Sequence, residues 1–305
     1  MNSMRRTIIA FLALMLLALT LGASTFAWIS IARTSQIESI TLIATLGDKL
    51  QISLDGETYY DELPKEEMIN VFKGNKLLDI TTMDGKNFRH LRDEISVKPN
   101  SEYISVDFYF RTDSVREHVV YLANNISDSV IFDQYQPPEG TFIVSKGVKY
   151  RSRFDYLYDI DDIVQAHELR TYYISGAVRI STISEIDNEE VVKIFDLSGN
   201  EHRGFGKPYG AYDYYRKSSI REITLPTETP PTIYKLSEFD PNGPFSYDDT
   251  SKLVVLDEVK EFDGKTYYTG KITMNIWIEG WDADLFDPVL EDRIKIQLQF
   301  KAVRN

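Results

Sequence analysis

The sequence predicts a mainly β fold: an antiparallel β-sandwich of jelly-roll type with short helical insertions, preceded by one apolar helix. Three observations predict it. Several stretches alternate strictly between apolar and polar residues, which is the pattern of strands with one buried and one wet face. Helical periodicity is scarce along the same chain. An unbroken apolar run stands at the beginning.

The apolar run comes first in the chain. Arg5 and Arg6 precede it, residues 8–21 are apolar apart from Thr20, and Gly22, Ala23, Ser24 and Thr25 follow. Basic, apolar, then small is the order of an export signal. Small residues at Thr25 and Ala27 place a cleavage point between Ala27 and Trp28. A retained anchor is the alternative. Residues 8–32 suffice to span a bilayer at about 1.5 Å per residue, with Trp28 at the outer interface. Under both readings residues 1–32 form a signal peptide or transmembrane anchor, with a helix expected over 6–31. Residues 33–305 then form one extracellular domain.

Strands follow in order. Residues 37–46 are rich in Ile, Leu and Thr and carry only Glu38 as charge. Residues 50–54 are a short candidate. In 103–111, Ile104, Val106, Phe108 and Phe110 face one side while Asp107 and Arg111 face the other. Residues 119–122, 191–197 and 253–256 are further candidates. Residues 172–180 place Tyr172, Ile174, Val178 and Ile180 on one face. Residues 271–279 do the same with Ile272, Met274, Ile276 and Ile278, which leaves Trp277 in the outward register. In 293–301, Ile294, Ile296, Leu298 and Phe300 alternate with Arg293, Lys295, Gln297, Gln299 and Lys301. Short helices are expected within 63–72 and 155–167. Residues 224–250 hold Pro226, Pro230, Pro231, Pro241 and Pro244 and read as a long loop insertion, because proline is excluded from central strands.

Composition narrows the function. The formal charge is −13, and Arg5 and Arg6 are the only charges among residues 1–27, so the remainder is more acidic still. Nucleic-acid binding needs the opposite sign. There is no cysteine, which removes disulfides, thiolate metal sites and cysteine nucleophiles. His90, His118, His167 and His202 lack metal-ligand spacing, and no G-x-S-x-G nucleophile motif occurs.

The densest polar and aromatic cluster runs from Trp277 to Asp287. Asp282, Asp284 and Asp287 read as oxygen ligands for calcium, the one cofactor the sequence suggests. Read otherwise, they are caps of a helix over 285–290. Glu279 and Asp282 are the candidate acid/base pair for glycoside hydrolysis, which requires a set separation and a raised pKa on one member. Trp277 and Trp281, with Phe205, Tyr209, Tyr212, Tyr214 and Tyr215, offer faces for stacking on sugar rings, or else they are core aromatics.

The segment Ser24-Thr25-Phe26-Ala27-Trp28 after a leucine-rich run resembles the signal segment of Firmicute proteins exported through the SipW class of signal peptidase, the TasA and camelysin group. Residues 105–111 and 276–284 look like recurrent blocks of uncharacterised proteins with that signal. The resemblance implies a jelly-roll sandwich. Length and the insertions at 155–167 and 224–250 depart from it.

The expectation is an exported, non-catalytic protein of the cell surface or extracellular matrix. It would contact the membrane through the N-terminal helix and act on protein partners or by self-assembly, with no nucleic acid involved. A carbohydrate-binding module and a glycoside hydrolase-like enzyme are the alternatives. Residues 37–46 either complete their own sandwich or are the candidate assembly element, since an edge strand can accept a neighbour.

Overall fold

The computed structural model describes residues 13, 15, 36–45, 50–64, 66–68, 77–91, 95–114, 117–219, 223–241, 243 and 245–304. The chain divides into two compact units, Met1–Thr34 and Ser35–Asn305. In the first, Ala13 and Met15 are helical and exposed. The rest of the expected helix, and the cleavage point at Ala27 and Trp28, lie outside the described residues. Among the described residues no helix is long and apolar enough to cross a membrane.

The second unit is mainly β. Its strands are β1 (Gln36–Thr45), β2 (Gln51–Ser53), β3 (Asp79–Thr81), β4 (Arg89–His90), β5 (Ile104–Thr112), β6 (His118–Leu122), β7 (Phe142–Ser145), β8 (Val148–Arg151) and β9 (Tyr156–Asp159). They continue with β10 (Asp162–Val164), β11 (Leu169–Tyr172), β12 (Val178–Ile186), β13 (Glu189–Phe195), β14 (Thr232–Ile233), β15 (Lys252–Leu256), β16 (Glu258–Phe262), β17 (Lys265–Glu279) and β18 (Arg293–Arg304).

One sheet is centred on β18. It carries β1 on one side and β7 and β6 on the other, with β15 beyond β6. The larger sheet is centred on β17, flanked by β12 and β16 on one side and by β5 and β3 on the other. Neither closes into a barrel. β5 alternates buried and half-buried residues along its whole length, as its sequence pattern requires. Phe108, Ile276 and Ile278 from one sheet join Leu42, Ile296 and Leu298 from the other in a single apolar core.

The expected sandwich is purely antiparallel, but these sheets are mixed. β1 runs parallel to β18, β3 parallel to β17, and β14 parallel to β13. Alternation fixes which face a residue takes and says nothing of the neighbour's direction. Residues 172–180 are not one strand, because Ile174–Ala177 is a 3-10 turn between β11 and β12. The helix expected within 155–167 is the hairpin β9–β10, with Tyr156 and Val164 paired and buried. Of the helix expected within 63–72, residues 66–68 are helical; 65 and 69–72 lie outside the described residues.

Two outer faces that alternation marks as wet are covered. Trp277 packs under Phe88, whose ring lies 5.1 Å away edge-on, and is 1% exposed. The proline-rich insertion 224–250 is more than a surface loop. It contributes β14, buries Leu236 in the core and lays Phe239 on Tyr121 at 5.5 Å.

Candidate functional site

β17 ends at Glu279 and the chain turns through Gly280 and Trp281 before β18 begins. The turn is held from within. Glu279 is buried, and its carboxylate accepts hydrogen bonds from Trp277 Nε1 and the Trp281 backbone N–H, each at 3.1 Å. Burial pushes its carboxyl up, against the pull of these donors. Asp282 Oδ1 accepts the Asp284 N–H at 2.8 Å, which tightens the next step of the turn. The expected helix over 285–290 is a 3-10 turn, Asp287–Glu291, without a side-chain cap.

A buried ionic cluster underlies this turn. Arg179 on β12 is 2% exposed. Its Nη2 bonds Asp282 Oδ2 and lies 2.8 Å from Asp196 Oδ2, while Nη1 donates to the carbonyls of Gly176 and Val178. The Asp196 oxygen makes an ion pair but receives no aligned hydrogen bond. Two carboxylates thus share one guanidinium out of water. Burial pushes both carboxyls up, and Arg179 opposes it. A second arginine, Arg203, bonds Asp284 through Nε at 2.8 Å and Nη2 at 2.6 Å, and lies 3.9 Å over the Tyr158 ring.

The three aspartates that suggested calcium therefore diverge. Asp282 turns to Arg179, Asp284 to Arg203, and Asp287 stands exposed beyond them. Among the described residues no three His, Cys, Asp or Glu side chains gather to hold a metal. Glu279 and Asp282 also part company, since each is engaged by a different set of donors.

Above the turn lies a cavity of about 490 Å³. Trp281, Asp282, Leu285, Asp287 and Leu290 form one wall, Tyr212 and Tyr215 another, with Asp79, Leu91, Ile223 and Leu225 around them. The tyrosines come from the helix Ala211–Ser218, which sequence patterning does not reveal. Gly210 precedes it with φ 64, and a Cβ there would collide with the Ala283 carbonyl, so only glycine lets the helix sit against the turn. Tyr212 hydroxyl donates to the Ile223 carbonyl at 3.0 Å and fixes the rim.

Only part of the predicted aromatic set reaches this cavity. Tyr212 and Trp281 line it, joined by Tyr215. Tyr214 is buried among Phe154, Tyr156 and Phe286, with its hydroxyl 2.8 Å from that of Tyr150. Tyr209 is 5% exposed and bonds the His202 carbonyl. Phe205 is buried where it bridges Asp282, and Trp277 is covered by Phe88. These four are core.

Sequence reasoning misses Arg179, Arg203 and Asp196, the partners of the turn. Arg179 carries a faint signal, an arginine between Val178 and Ile180. Comparison with protein-family models, with curated proteins and with solved structures finds no match.

Proposed function

We propose that this chain is an exported, non-catalytic protein of the cell surface or extracellular matrix that works by contact. Residues 1–32 deliver it as a cleaved signal or a retained anchor, and a jelly-roll-like sandwich forms its body, in keeping with the SipW-type resemblance. The observation that carries the reading is the place of β1. It is the first strand after the export segment, it pairs with β18 alone among the described residues, and so it forms the edge of its sheet. An edge strand offers unpaired backbone groups to a neighbouring chain. Ile40 and Leu42 point into the chain's own core, so contact with a second copy runs along the free edge. Sedimentation of the purified chain across a concentration series tests this. Self-association that weakens in Ser39→Lys and Thr41→Lys, which add charge at the edge, is the expected result. A monomer at every concentration contradicts it.

A carbohydrate-binding module is the second reading, and the cavity favours it. Tyr212, Tyr215 and Trp281 supply ring faces, and its volume falls in the range of small-molecule sites, roughly 300–1,000 Å³. The hydrolase alternative draws less support, because Glu279 and Asp282 are each committed to internal partners.

A further inference from the structure

Among the described residues the charge lining the cavity is one-sided: Asp79, Asp282 and Asp287 line it, and no lysine, arginine or histidine does. Asp282 is neutralised from behind by Arg179. Asp287 is exposed and belongs to no ion pair among the described residues. Tyr212, Tyr215 and Trp281 line the same cavity. Aromatic faces next to an unneutralised carboxylate attract a cation, through the ring quadrupole and through a charge-assisted hydrogen bond. A neutral sugar draws on the rings and gains little from the carboxylate. An anionic sugar is repelled.

From this geometry we infer that the cavity binds amino sugars bearing a free, protonated amine, in preference to their N-acetylated forms. The inference rests on the carbohydrate reading above. The ring faces hold the apolar face of the pyranose, and Asp287 takes the ammonium.

Calorimetric titration of the purified chain with chitosan oligosaccharides and with their fully N-acetylated counterparts tests it. The free-amine ligand is expected to bind about tenfold more tightly, and added salt is expected to erode that difference. Asp287→Asn should weaken binding of the free-amine ligand about tenfold and so remove the difference. Asp287 is exposed at the start of a 3-10 turn and caps nothing, so this variant keeps the fold. Trp281→Ala should weaken both ligands, with an unchanged circular-dichroism spectrum. Equal affinity for both ligands overturns the preference for amines and leaves the carbohydrate reading standing. Binding of neither ligand overturns both.

Discussion

Arg179 is the residue on which the site depends. Its guanidinium is the shared counter-charge of Asp196 and Asp282, all three buried. Desolvation makes such a cluster a modest contributor to stability as a whole, but removal of one member strands the others without compensation. Arg179→Met should therefore lower unfolding stability by about 3–5 kcal/mol, read from urea denaturation. A loss under about 1 kcal/mol would mean that the two carboxyls are already protonated in the folded chain. Two other aspartates contribute to the acid limit. Asp55 is held at about 2 by the backbone N–H groups of Thr58 and Glu57 and by the Ser53 hydroxyl. For Asp84 burial pushes upward, but the N–H groups of Asn87 and Lys86 prevail and bring it to about 2. Both are depressed, so their stabilisation is complete above the ordinary carboxylate value and is lost as pH falls through about 2. The double variant Asp55→Asn, Asp84→Asn should show a shallower fall in urea midpoint between about pH 4 and 2 than the parent. An identical slope would place the acid transition elsewhere. Both aspartates sit in the same local pattern, Ser53-Leu54-Asp55-Gly56 and Thr82-Met83-Asp84-Gly85, where the hydroxyl bonds the aspartate and accepts the glycine N–H. That pattern is readable from sequence once the geometry of such turns is applied.

Strands were legible from alternation, but burial of their second face was not: Gln297 and Gln299 of β18, read as wet, are buried. β5 alternates cleanly, and residues 103–111 and 293–301 predict it and β18 to within a few residues. β6 is buried at every position, because Phe239 of the proline-rich insertion covers its outer face. The helix Ala211–Ser218 escapes notice because Tyr-Asp-Tyr-Tyr favours helix weakly, and tertiary contacts decide it. Asp213, on its first turn, accepts the Leu157 N–H at 2.8 Å and binds the helix to β9. Two hairpins carried turn signals that the alternation pattern leaves aside. Asp187-Asn188 and Asp263-Gly264 all have positive φ, the geometry that a two-residue connection between twisted strands demands. Of the candidate site, the acidic and aromatic density of residues 277–287 was visible, but its counter-ions come from β12 and the segment after β13, and long-range pairing leaves no local trace. Core and covering positions should differ in energy. Ile276→Ala should cost about 2–5 kcal/mol, whereas Glu189→Ala at the exposed start of β13 should stay within about 0.5 kcal/mol by the same urea measurement. Similar losses at both positions would contradict the register.

At the scale of the whole unit Ser35–Asn305, two sheets share one core and leave β1 along an edge. Period two predicts the strand and the buried Leu42, but its parallel pairing with β18 follows from the path of the chain around the sheets. The strand combines a face committed to the core with a free backbone edge, and Arg293 pairs with Glu38 at 3.1 Å to hold its first residues. The arrangement suits a body that is complete by itself and presents one strand outward. The cavity above the 279–287 turn is lined by the chain that follows β17, by the helix Ala211–Ser218 and by residues 223–225, and none of the residues lining it belongs to β1. Contact along that edge is the function proposed above, and sedimentation velocity across a concentration series measures it. Association is expected to rise with concentration, to fall in Ser39→Lys and Thr41→Lys, and to persist in Asp287→Asn. A chain that stays monomeric throughout, or whose association is indifferent to both edge substitutions, would contradict it.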